Sequence, residues 1–170
     1  MSTEGLPTPS HLASEFYAWL WHASEVQSGY FALPDPVGPV DVWVDERIAF
    51  RNPEEQKVAA VMTGENPSAT LEARAALAGG KVLQDLRVGV RRDDREFFVT
   101  LKGPSMHFQG LKLPQVVRDG GEEVLLDRMH LYEELCLVLA GLFDHWSVLR
   151  RSAEWETEIR PSLQSWVSGA

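Results

Sequence analysis

The sequence predicts an α+β fold, with an antiparallel sheet of about five or six strands packed on a long C-terminal helix in the order α-βββ-α-βββ-αα. Three observations predict it. Two runs of period-2 alternation flank Arg92-Asp93-Asp94-Arg95, which is a hairpin with one packed and one wet face. Leu125, Met129, Tyr132, Cys136, Leu139, Phe143 and Trp146 keep a 4-3 spacing, which is a long helix. Glycine and proline divide the first third into one aromatic helical run and several short β-branched runs.

Taken in order, Met1–Ser10 reads as a flexible leader and residues 11–170 as a single domain. The first helix is expected over Leu12–Val26, capped by Ser10 or Ser14, with Phe16, Trp19, Leu20 and Ala23 at helical spacing. Gly29 and the stretch Pro34–Pro39 end it. Strands follow at Val40–Val44, Arg47–Arg51 and Lys57–Thr63, with Asp45-Glu46 and Asn52-Pro53-Glu54 in the turns. Asn66 as N-cap and Pro67 at the first helical position start a second helix that stops at Gly79-Gly80.

The hairpin then places Val82, Leu86, Val88 and Val90 inward on Lys81–Arg91. Phe97, Val99 and Leu101 face inward on the return strand, and Glu96, Phe98, Thr100 and Lys102 outward. A short strand at Met106–Gln109 and a loop at Arg118–Gly121 lead to the long helix, 122–150. A second apolar stripe on that helix, Leu131, Leu135, Val138 and Leu142, demands a second cover. A terminal helix is expected over Ala153–Val167.

Charge is partitioned along the chain. Residues 1–73 carry 3 basic and 11 acidic side chains, residues 74–118 carry 9 and 4, and residues 119–170 carry 4 and 10, so a net −9 encloses a basic island. The single Cys136 excludes an intrachain disulfide framework. The absence of an export signal or of an apolar run near 20 residues then predicts a cytoplasmic protein without membrane association.

Signatures of catalysis are absent, so a non-enzyme without cofactor or metal is expected. Asp127-x-x-His130-x-x-x-Glu134 shares one helix face but lacks the partner motif of a di-metal bundle, and reads as an intrahelical polar stripe. Cys136 occupies an apolar helix position, where a cysteine acts as a small hydrophobe. The glycine pair Gly79-Gly80 follows a helix instead of opening one, which is wrong for cradling a phosphate.

Two binding surfaces emerge. On the hairpin, Arg87, Arg91 and Lys102 share the outward face with Phe98, and Arg92 and Arg95 stand at the tip. Cations around an aromatic ring suit phosphates and bases; the plain alternative is a solvated strand face, or one paired with the acidic flanks across the fold or a dimer interface. On the first helix, Phe16, Tyr17, Trp19, Trp21 and His22 cannot share one face. Tyr17, Trp21 and His22 are therefore expected at an interface, together with Leu131, Leu135, Val138 and Leu142, and the expected assembly is a homodimer.

Several runs carry a resemblance: Glu15 to Glu25, Val42-Trp43-Val44-Asp45-Glu46-Arg47, Leu71 to Val82, and Phe108-Gln109-Gly110-Leu111-Lys112-Leu113-Pro114. In this order, over residues 14–167, the chain resembles the C-terminal half of the RdgC family of recombination-associated proteins. The resemblance implies a non-catalytic, cytoplasmic or nucleoid-associated protein. Family members form ring-like homodimers that bind DNA without sequence preference and restrain recombinase filaments. The family's N-terminal half has no counterpart here. The expectation is thus a DNA-associated accessory protein of recombination or repair; the alternative is a protein–protein interaction adaptor or assembly subunit, served by a separate protein partner, that binds no nucleic acid.

Overall fold

The computed structural model describes residues 9–55, 57–65, 71–116 and 121–169. Its elements are α1 (Pro9–Val26), β1 (Tyr30–Ala32), β2 (Pro39–Arg51), β3 (Val58–Thr63), α2 (Leu71–Ala78), β4 (Val82–Arg92), β5 (Arg95–Lys102), β6 (His107–Lys112), α3 (Glu122–Arg150) and α4 (Arg160–Ser168), the last entered through a π-helical turn at Trp155–Ile159. The six-stranded sheet is antiparallel throughout, in the order β1-β2-β4-β5-β6. β3 shares the outer edge of β2 with β1, pairing Arg47–Arg51 while β1 pairs Pro39–Asp41. The predicted class and element order hold.

The strand count agrees through two compensating differences. Asp45-Glu46 is no hairpin turn, because β2 runs unbroken through it for 13 residues. The pairing with β4 skips from Val44↔Val88 to Ile48↔Leu86, so Asp45–Arg47 bulge out of one strand instead of closing two. The missing strand is β1, only three residues long and too short to alternate visibly. A second bulge, at Gln84, lies between Ala49↔Asp85 and Phe50↔Leu83. It flips the pleat, so Leu83 and not Val82 enters the core.

Helix ends differ as well. Pro9 and Ser10 already belong to α1, and the remainder of the expected leader lies outside the described residues. Ser14 sits inside α1 and donates to the Leu83 carbonyl at 2.8 Å, so it ties helix to sheet instead of capping. Asn66 and Pro67 also lie outside the described residues, as does most of the Arg118–Gly121 loop. α2 ends as expected: Gly80, at φ 86°, donates to Leu77 and Lys81 to Ala76, the paired bonds of a Schellman motif.

The core lies between the sheet's inner face and the helices α1 and α3. Ile48, Phe50, Leu86, Val88, Val90, Phe97 and Val99 supply the sheet side. Phe16 of α1 meets Phe143 and Trp146 of α3 at ring separations of 5.3 and 5.5 Å. Each large apolar side chain removed from water contributes roughly 1.5–3 kcal/mol. Leu135, Val138, Leu139, Leu142 and Trp146 therefore anchor the C-terminal half of α3, whereas residues 122–134 bury none.

Candidate interaction surface

The hairpin brings its cations together with acids. Arg87 donates to Asp45 at 3.2 Å, to the Gly110 carbonyl at 2.8 Å and to Thr100 at 3.4 Å, which leaves its side chain only 16% exposed. Arg91 donates twice to Glu96, at 2.9 and 3.2 Å, and lies over the Trp43 ring. Arg92 and Arg95 turn back from the tip onto Glu134 of α3, at 3.0 and 2.7 Å. The hydrogen bond to Glu134 raises the Arg95 pKa. Arg92 also donates to the carbonyls of Pro36 and Val37.

Lys102 bonds Gln109 at 3.0 Å, and Phe98 sits edge-on to Trp43 with Lys112 over its face. The arginines of the outward face are thus paired within the fold, Arg87 with Asp45 and Arg91 with Glu96, and the second of these pairs stays about half exposed. Every hairpin arginine has a carboxylate partner within the chain.

The expected interface residues are mostly core. Tyr17, Trp21, His22, Leu135, Val138 and Leu142 are buried by this single chain, and Leu131 is half-buried against the same core. No partner reaches a side chain with no exposed surface. The physical reason is that α1 is enclosed on more sides than its own periodicity reveals. Phe16 faces α3, Trp19 meets Phe31 and His145, and Trp21 meets both Phe50 and Trp166. The Tyr17 hydroxyl donates to the Gly103 carbonyl at 2.8 Å. Burial first, and the Asp85 charge second, push its pKa far above the ordinary tyrosine value.

The second surface of α1 is α4. The Glu25 carboxylate accepts from Trp21 Nε1 at 2.9 Å, from Trp166 Nε1 at 2.8 Å and from Arg74 at 3.3 Å, and Arg74 lies over the Trp166 ring. Beside it, His22 Nε2 stands 3.3 Å from the Ser162 hydroxyl, and burial lowers its pKa against the opposing pull of Glu25. The sequence reading missed Glu25, Arg74, Ser162 and Trp166. Their only local signal was a tryptophan on a short terminal helix that carries two other apolar residues, Leu163 and Val167.

In the Asp127-x-x-His130-x-x-x-Glu134 pattern of α3, Glu134 pairs across the fold with the hairpin and not within the helix. Glu134 is committed to two arginines, and among the described residues no three His, Cys, Asp or Glu side chains form a metal-holding group. Cys136 is half-buried instead of fully packed. Its hydrogen bond to Tyr132 raises that tyrosine's pKa. Among the described residues, no helix is long and apolar enough to cross a membrane.

What the chain leaves uncovered is the outward face of α3, with Leu126, Leu137 and Val148, together with the N-terminal overhang of its inward row. There Leu125 and Tyr132 precede the buried Leu139 and Trp146, and Tyr132 meets the Phe108 ring at 6.3 Å. Leu125, Leu126, Met129, Tyr132, Leu137 and Val148 are all exposed, half of the twelve large exposed apolar side chains among the described residues. An apolar hollow of about 420 Å³ lies between Leu137, Val148 and the loop Pro34–Val37. Another of about 330 Å³ lies between Cys136, Leu139, Phe143 and the strand-end residues Met106 and Phe108. Ala140 and Asp144 form the ridge between them. Compared with family models, with curated proteins and with solved structures, the chain matches none.

Proposed function

We propose that this chain is a non-catalytic protein–protein interaction adaptor whose docking surface is the outward face of α3. The observation that carries the reading is the concentration of exposed apolar side chains on that one helix, flanked by two apolar hollows. Large apolar side chains exposed together on one helix mark a contact site, because leaving them in water costs free energy that a partner recovers. The internal ion pairing of Arg87, Arg91, Arg92 and Arg95 supports the same reading, since charges already matched by Asp45, Glu96 and Glu134 attract phosphates weakly. Photocrosslinking from a benzoylphenylalanine at position 137 is expected to give one discrete protein adduct, and the same probe at exposed Glu156 is expected to give none. Crosslinking at neither 126, 137 nor 148 would overturn the reading.

A second reading, the DNA-associated accessory role implied by the likeness to RdgC-type proteins, has one observation in its favour. The outward sheet face carries Trp43 and Phe98 in contact, with Arg91 over one ring and Lys112 over the other. Cation-backed rings suit single strands. A gel shift that weakens steeply between about 50 and about 200 mM salt would support this reading. Undetectable binding at the lower salt would end it.

A further inference from the structure

The outward face of α3 is organised in rows eleven residues apart. Leu126, Leu137 and Val148 form one row, and Glu122, Glu133 and Asp144 form the row beside it. Eleven residues are close to three turns of about 3.6, so each row runs nearly parallel to the helix axis. Each spans about 33 Å at about 1.5 Å per residue. Met129 and Ala140 lie on the other side of the acidic row. The three apolar residues of the first row are 52%, 41% and 64% exposed. Glu122, Glu133 and Asp144 are exposed, and none forms an ion pair with another described residue.

We infer that the partner docking on this face is a basic amphipathic helix, with an apolar stripe for Leu126, Leu137 and Val148 and a row of lysines or arginines for Glu122, Glu133 and Asp144. The inference rests on the adaptor reading and adds the partner's chemistry. Two straight rows fit another straight element, and a helix offers apolar and charged rows at the same repeat. The charge selects the occupant. A second copy would bring three more carboxylates to the seam, with Arg151 at the end of α3 the one lysine or arginine in line with these rows among the described residues. It would also bring a second net charge of −9. Like charges across an interface suppress that pairing, and opposite charges steer the encounter.

The test uses the full chain and three synthetic peptides of about 22 residues, long enough to span the rows. One carries a leucine stripe beside a lysine row, the second has glutamate for every lysine, and the third is a scramble of the first with the same charge but no stripe. Fluorescence anisotropy is expected to show binding of the striped lysine peptide alone, with Leu137→Ser weakening it about tenfold. Glu122→Lys, Glu133→Lys and Asp144→Lys together are expected to reverse the preference toward the glutamate peptide. Circular dichroism checks that both variants remain folded.

Equal binding of the striped lysine and glutamate peptides would overturn the basic partner while leaving α3 as the docking surface. Equal binding of the striped and scrambled lysine peptides would overturn the helical rows as the basis of recognition. Light scattering at twice the 19.1 kDa chain mass, lost in Leu137→Ser, would assign the face to a second copy and overturn the inference alone. A monomer that binds no peptide, together with absent crosslinking from this face, would overturn the inference and the adaptor reading together.

Discussion

Trp166 donates its indole N–H to Glu25 at 2.8 Å, joining residues 141 positions apart in the chain. The same carboxylate holds Trp21 and Arg74, so one acid links α1, α2 and α4. This bond explains how a terminal helix without a fully buried residue stays docked. Its hold comes from oriented polar contacts and from the edge-to-face packing of Trp166 on Trp21, at a ring separation of 4.7 Å.

Trp166→Ala removes the hydrogen bond, the ring contact and the cation–π contact together. Because the side chain is only half-buried, the cost is about 1–3 kcal/mol, below that of a full core truncation. Amide exchange over residues 160–168 is expected to accelerate far more than exchange in β4 or β5. Uniform acceleration across the sheet would contradict local release of α4.

Protonation works against the same joint. Burial lowers the His22 pKa in the folded state, so the unfolded chain binds the proton more readily. The stability linked to His22 is full above its ordinary pKa of about 6.5 and is lost as pH falls below it. Glu25 and Arg74 are the charged groups of this joint, and Glu25 opposes the shift. Urea unfolding at about pH 7.5 and about pH 5.5 is expected to show lower stability at the acid end. His22→Gln is expected to reduce that difference, and an unchanged difference would rule His22 out as its source.

Arg87 should behave as a structural residue. Replacing it with Ala leaves Asp45 and the Gly110 carbonyl without their donor, at about 1–2 kcal/mol. For a chain of this size that lowers Tm by about 2–4 °C per kcal/mol. A variant as stable as the parent would restore the view of Arg87 as a free surface cation.

Gly89 has a steric role. It pairs with Trp43 across β2 and β4, and a Cβ there would strike the indole ring. Gly89→Ala is expected to cost about 1–3 kcal/mol by overpacking. Adding Trp43→Ala opens the space, so the double variant should cost less than the sum of the two single changes. Additive costs would show that the clash is relieved elsewhere.

Much of the fold was legible, because helices and strands declare themselves within a few residues. The alternation of β4 and β5 placed Phe97, Val99 and Leu101 correctly, and the glycine pair after α2 marked its end. Bulges hid the rest. The one at Gln84 exchanged Val82 for Leu83, and the one at Asp45–Arg47 resembled a turn, because a bulge depends on the partner strand and not on its own residues. The candidate surface was half legible. The apolar excess of α3 was visible, but its faces were not: Leu135, Val138 and Leu142 of the stripe assigned to an interface are buried, while Leu125, Met129 and Tyr132 of the 4-3 stripe are exposed.

The sequence by itself determined the α+β class, the order of the elements and the inward residues Leu86, Val88, Val90, Phe97, Val99 and Leu101 of the hairpin beyond the Gln84 bulge, since local periodicity encodes which face turns from water. Only the tertiary structure decided which charges and rings remained available. Arg92 and Arg95 read as free until α3 brought Glu134 against them from 42 and 39 positions away, and Trp21 read as surplus until α4 covered it. Pairing and burial depend on distance in space. Residues far apart in the chain become neighbours only after the elements have packed.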